Sequence, residues 1–160
     1  MYNDYSFSRG YVFAGRTKGR NAKIYKIYIS HFWEYYPDYI LLQEILYTDT
    51  SFRWEKRGEI FIAPQINRST YSVTKQLMMR LNNDIKDTDC LIVISDMYRE
   101  HPFWINAQMD IATSLFKPII AMKSRCLLPV PEEIKKNTNI IADWNARSIT
   151  NAIKNFMLYA

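Results

Sequence analysis

The chain has 160 residues, of which 48% are hydrophobic and 23% are charged, a composition typical of one globular domain with a sizeable core. No apolar run is long enough to span a bilayer and no signal-peptide core follows the first residue, so we expect a cytoplasmic protein without a membrane partner. The formal net charge of +5 suggests nucleic acid as a partner. However, residues 1–23 hold five basic side chains and one acidic one, so the rest of the chain carries only +1 and nucleic-acid binding is disfavoured.

Residues 1–22 form a basic N-terminal arm ahead of the first predicted strand. Its aromatic side chains are interleaved with the basic ones: Tyr2, Tyr5, Phe7, Tyr11 and Phe13. Such a segment could stack on bases or hold phosphates. The alternative, which we favour, is that the aromatic side chains pack on the domain or on a second subunit. Residues 23–160 are then the folded domain.

Strands and helices are predicted to alternate along this domain. The strands are expected at 23–30, 51–58, 89–95, 117–123 and 139–144, where β-branched and aromatic residues are concentrated. The helices are expected at 34–47, at about 70–86, around 103–112 and at the end, where Ile149, Ile153, Phe156 and Met157 share one face. "EEIKKN" (132–137) is predicted to be a turn.

Alternation of this kind predicts a parallel sheet with helices on both faces. Five strands most economically form a flavodoxin-like sheet in the order 2-1-3-4-5. In that order a crevice opens between strands 1 and 3 at their carboxyl ends. "SHFW" (30–33) follows strand 1 and "SDMY" (95–98) follows strand 3, so we expect both segments to line the crevice.

Several kinds of enzyme site are disfavoured by the sequence. The chain has only 4 glycines and no Gly-rich phosphate loop, so a Rossmann or P-loop site has no support. His31 and His101 have no neighbouring ligands at zinc-binding spacing, so no metal is expected. Cys90 lies in a buried strand and Cys126 is distant from it in the sequence, which favours reduced thiols over a disulfide framework.

One residue interrupts an apolar helical face in "FWINAQMDIA" (103–112). Trp104, Ile111 and Leu115 have the spacing of a core-facing stripe. The position of this stripe that lies between Trp104 and Ile111 is occupied by Gln108. Gln108 is either a polar residue satisfied at a contact between helix and loop, or a group at the bottom of the crevice. We favour the second interpretation.

Residues 23–157 resemble the TIR-like (Toll/interleukin-1 receptor type) family found in bacterial antiphage systems of the Thoeris kind. The most specific segments are "ISHFW" after strand 1, "WINAQMDIA" on the helix and "WNARSITNAI" near the end. The resemblance implies a flavodoxin-like fold and cleavage of the nicotinamide–ribose bond of NAD, with NAD as substrate and no cofactor. The expected partners are NAD or an ADP-ribose derivative, an effector protein that receives the diffusible product, and further copies of the chain.

The catalytic residue of that family is a glutamate, and the matching position here is Gln108. A carboxylate would stabilise the positive charge that develops on the ribose, whereas an amide has a similar shape but no charge. The chain is therefore expected to bind its ligand and turn it over poorly, with Gln108 either native or, as we favour, an introduced substitution. The alternative is a catalytically inactive nucleotide-binding or TIR assembly module. The remaining candidate ligand-binding residues are Ser30, His31, Phe32, Trp33, Trp54 and Trp104.

Overall fold

The computed structural model describes residues 22–32, 37–58 and 71–157. The strands in chain order are β1 (Tyr25–Ile29), β2 (Trp54–Arg57), β3 (Cys90–Ile94), β4 (Ile119–Met122) and β5 (Ile140–Ala142). The helices are α1 (Pro37–Thr48), α2 (Tyr71–Lys86), α3 (Ser95–Glu100), α4 (Pro102–Ser114), α5 (Glu132–Asn137) and α6 (Ala146–Met157). The N-terminal arm, residues 1–21 in particular, lies outside the described residues.

The five strands form one parallel sheet in the order β2-β1-β3-β4-β5. This confirms the predicted flavodoxin-like order. Helix α2 packs with α4, and α1 packs with α6. All five residues of β3 and all four of β4 are buried, as expected for central parallel strands whose two faces are both covered by helices.

Two short helices differ from the prediction. Residues 95–100 form α3 directly after β3, and residues 132–137 form α5 rather than a turn. Each is six residues long, and such helices depend on tertiary contacts rather than on their own propensity. In α3 the Ser95 hydroxyl donates to the carbonyl of Met122 at 2.5 Å. In α5 the fully buried side chain of Ile134 is part of the core.

The buried face of α4 is rotated from the predicted stripe by about one position. Its buried residues are Ile105, Gln108, Met109 and Ala112. Trp104, Ile111 and Leu115 are only partly buried and flank this face. Gln108 is therefore an integral member of the core-facing side of the helix, with 2% of its surface exposed.

Candidate functional site

The candidate site lies at the carboxyl edge of the sheet, where β1 and β3 are adjacent. The direction in which the chain adds strands to the sheet reverses here, because α1 follows β1 on one face of the sheet and the connection after β3 lies on the other. Open α/β sheets bind ligands in a crevice at such a point. Ser30 and His31 follow β1 directly and are 0% and 6% exposed. Ser95 and Asp96 follow β3, and the segment beginning at Lys123 follows β4.

Gln108 connects α4 to the two residues after β1. Its Oε1 accepts hydrogen bonds from the Ser30 hydroxyl at 3.0 Å and from the backbone N–H of His31 at 3.2 Å. Its Nε2 donates to the carbonyls of His31 at 2.9 Å and Trp104 at 3.2 Å. A primary amide has two donors and two main acceptor sites, so the protein itself satisfies this side chain.

His31 is held by its own strand and by two aromatic rings. Because a carbonyl oxygen can only accept, the contact of 2.8 Å between Nδ1 and the carbonyl of Ile29 assigns a proton to Nδ1. The imidazole stacks on Tyr28, with ring centroids 5.6 Å apart, and meets Tyr39 edge-on at 5.3 Å. Burial raises the pKa of both phenols above the ordinary value, so both stay protonated at neutral pH.

The other aromatic candidates do not converge on one place. Phe32 stacks on His101 with ring centroids 3.8 Å apart, which joins the end of β1 to the start of α4. Trp104 is on α4, with its ring against Phe103. Trp54 opens β2 opposite Tyr25, at the amino end of the sheet and away from the crevice. Trp33 lies outside the described residues.

Three charged residues that the sequence did not identify as site residues form a cluster at the crevice: Asp38, Asp96 and Arg125. Arg125, after β4, reaches across the end of β3 to Asp38 of α1, with Nη1 2.5 Å from Oδ1. The backbone N–H of Arg125 donates to Asp96 Oδ2 at 2.9 Å. The hydrogen bond to the Asp38 carboxylate raises the pKa of the Arg125 guanidinium above its ordinary value.

One signal for this cluster is visible in the sequence. Asp96 is the second residue after a continuous apolar strand, close to the strand end at which parallel α/β proteins present functional groups. Asp38 lies in the first turn of a helix, where acidic residues are common because they interact favourably with the helix dipole, so its position does not indicate a functional role. Arg125 has no sequence signal, since only the tertiary fold brings it next to Asp38.

A metal centre has no support in the part of the chain that the structure describes. Among those residues no group of three or more histidine, cysteine, aspartate or glutamate side chains could hold a metal ion. The same residues include no helix long and apolar enough to cross a membrane.

No family model matches the sequence, and no curated protein matches it. Solved structures do match. A conserved protein from Enterococcus faecalis V583 aligns with a TM-score of 0.53 and 12% identity over 84% of this chain and 99% of that one. A 2-deoxyribosyltransferase from Bacillus psychrosaccharolyticus aligns with a TM-score of 0.52 and 16% identity over 77% of this chain and 90% of that one. CMP N-glycosidase from Clostridium botulinum aligns with a TM-score of 0.43 and 13% identity over 84% of this chain and 99% of that one.

These matches correct the family assigned from the sequence. The TIR-like resemblance is wrong, because the structure aligns with a 2-deoxyribosyltransferase over 77% of this chain and no family model matches the sequence. The role of Gln108 as a replaced TIR glutamate loses its basis with it. At 12% and 16% identity the two matches with the higher TM-scores establish the fold that this chain shares with them.

Proposed function

We propose that the protein binds a nucleoside or nucleotide at the carboxyl edge of the sheet and breaks or transfers its N-glycosidic bond. The observation that carries the proposal is the pair of carboxylates, Asp38 and Asp96, that Arg125 joins at the crevice. The similarity in fold to a 2-deoxyribosyltransferase adds support for a nucleoside ligand.

The chemistry of this bond explains why carboxylates matter. Departure of the base leaves positive charge on the sugar ring, and a nearby carboxylate stabilises that charge most strongly in the transition state. Asp96 is the better candidate for this role, because its ion pair with Arg99 is long, with 3.8 Å between Oδ1 and Nε. Asp38 is largely neutralised by Arg125 and is assigned to holding that arginine.

A second candidate function is binding without turnover. It is favoured by Gln108, the buried polar side chain of α4 beside the crevice, which brings no charge and whose donors and acceptors are used within the protein. In this alternative the crevice recognises a nucleoside or nucleotide and the bound state itself is the signal.

The test is a turnover assay on ribonucleosides, deoxyribonucleosides, nucleoside monophosphates and NAD, each with and without an added free base as acceptor. Chromatography measures the released or exchanged base. We expect one class to be turned over and Asp96→Asn to lower the rate by about 10²–10³-fold, the usual loss for one electrostatic group. The matched control is Asp87→Asn, which removes an exposed carboxylate at the opposite edge of the sheet and should leave the rate unchanged.

Calorimetry with the same compounds separates the two candidates. Binding without base release under any condition favours the second function. Absence of both binding and turnover, with a cooperative thermal transition intact, would show that the crevice is not a nucleoside site.

A further inference from the structure

A groove of about 640 Å³ lies at the amino edge of the sheet, opposite the candidate site. It is formed where β3 and β4 begin and where α4, α5 and α6 end. Its apolar lining includes Phe116, Pro118, Phe156 and Met157, and Asp89 is part of its wall. Nothing in the proposed reaction uses this groove.

Phe116 is in an unfavourable conformation at the mouth of the groove. It follows α4 with φ of 56° and is 94% exposed. Its N–H donates to Thr113 and the N–H of Lys117 donates to Ala112, the hydrogen-bond pattern of a Schellman cap. Glycine is the usual residue at this position, because a side chain is strained in the left-handed region. What distinguishes Phe116 is its place: this strained, exposed aromatic side chain lies beside an apolar groove, where it can contact a docked segment.

The N-terminal arm joins the domain beside this groove. The Lys23 ammonium is 3.2 Å from Oδ1 of Asp89, the residue in the wall of the groove. Oδ2 of Asp89 accepts the backbone N–H of Lys26 at 2.8 Å, so the start of β1 is fixed at this point. Residues 1–21 would extend to roughly 70 Å at about 3.3 Å per residue, so their length is ample to cross the groove.

The aromatic side chains of the arm match the chemistry of the groove. All five suit an apolar surface that already contains Phe116 and Phe156. The carboxyl ends of α2, α4 and α5 face this edge, and helix carboxyl ends favour cations. The groove wall also holds Lys117 and Lys136, so the charges at this edge offset one another, and the aromatic contacts carry the match.

We propose that the groove at the amino edge is the docking site for the chain's own N-terminal arm, with the arm's aromatic side chains packed against Phe116 and Phe156. The strained, exposed Phe116 is then an anchor for the arm, and docking covers apolar surface at the edge of the sheet farthest from the candidate active site.

The experiment is a double-mutant cycle in the full-length protein. Phe116→Ala is measured by thermal unfolding in two backgrounds, one with the native arm and one with Tyr2, Tyr5, Phe7, Tyr11 and Phe13 all replaced by serine. We expect Phe116→Ala to lower the Tm by about 3 °C with the native arm and by less than about 1 °C with the serine arm. Alanine has the same backbone strain as phenylalanine, so the difference reports on the lost contact.

Leu127→Ala is the matched control. Leu127 has φ of 58° and is 96% exposed, but it lies after β4 at the opposite edge of the sheet. Its effect on the Tm should be the same in both backgrounds. Equal effects of Phe116→Ala in the two backgrounds would overturn the proposal, and so would coupling that grows with protein concentration, because that would indicate a second copy in the groove. If the arm with five serines abolishes cooperative unfolding, the single variants Phe7→Ser and Phe13→Ser serve as the second background instead. In each of them Phe116→Ala should again lower the Tm by less than it does with the native arm.

Discussion

The side-chain amide of Gln108 joins the segment after β1 to the second turn of α4. It does so with donors facing the carbonyls of His31 and Trp104 and acceptors facing Ser30 and the His31 N–H. The two halves of the amide thus meet complementary groups, and neither a carboxylate nor a hydrocarbon side chain of the same size could do this. The helical pattern of the sequence predicts an apolar residue at this position, and the structure shows a buried amide there.

Gln108→Glu is therefore expected to destabilise the fold at neutral pH. A carboxylate would face the carbonyl oxygens of His31 and Trp104, losing two donors and adding repulsion, at a cost of about 2–4 kcal/mol in the free energy of unfolding. Denaturant unfolding at pH 7 measures this cost.

The cost should shrink on acidification. A protonated acid can donate one hydrogen bond again, so the pKa of the introduced carboxyl is higher in the folded than in the unfolded state. Stability is then lost as the pH rises above the unfolded pKa, and the gap from the native protein widens between pH 5 and pH 7. Gln76→Glu on the exposed face of α2 is the control and should change stability by less than about 0.5 kcal/mol. Equal stability of Gln108→Glu and the native protein at pH 7 would contradict the four-bond arrangement.

Among the elements, α3 is a short helix whose first residue is held by a buried hydrogen bond. It begins at Ser95 immediately after β3, and the buried Ser95 hydroxyl donates to the carbonyl of Met122 at the end of β4. This contact sets the point at which the chain turns from strand to helix. It also sets the position of Asp96, the next residue and the proposed charge-stabilising group.

Ser95→Ala should lower the free energy of unfolding by about 1–2 kcal/mol, because a buried carbonyl loses a donor. Chemical denaturation measures the loss. Ser114→Ala is the matched control, since its hydroxyl also donates to a backbone carbonyl, that of Ile111, but is exposed. The two substitutions should differ by at least about 0.5 kcal/mol, and equal effects would argue against a structural role for the Ser95 hydroxyl.

At the scale of the whole molecule, the two cysteines report on global unfolding. Cys90 is fully buried in β3, and burial raises the pKa of its thiol to about 12. Cys126 is exposed. Since only the thiolate is nucleophilic, alkylation at pH 8 should modify Cys126 in the native protein and Cys90 only when the sheet opens.

Mass spectrometry after a timed pulse of iodoacetamide measures this difference. We expect one modification in native protein and two in denaturant, with the second appearing along the unfolding curve. Cys126→Ser is the control that isolates Cys90. Rapid alkylation of Cys90 in native protein would show that β3 is accessible without global unfolding.

The sequence predicted the sheet order correctly, because that order follows from buried apolar strands alternating with helices. It missed α3 and α5, whose six residues carry too weak a periodic signal to outweigh their polar composition. In the candidate site it identified Ser30, His31 and Gln108 as residues near one another, which their hydrogen bonds confirm. It missed the Asp38–Arg125 pair, because 87 residues separate the partners and no local pattern connects them. The family assignment failed because short motifs with the right order of elements occur in more than one family of this fold.

The interior position of β1 in the sheet has a consequence for the protein during its synthesis. β1 leaves the ribosome before β2 and β3, yet it pairs with β2 on one side and β3 on the other, and Ile27, Tyr28 and Ile29 are fully buried in the finished sheet. Until residue 94 has been made, this apolar strand has an open edge that can pair with the same strand of a neighbouring nascent chain. Chains that stop before β3 are therefore expected to aggregate, and the yield of folded protein should depend on how quickly translation passes from β1 to β3.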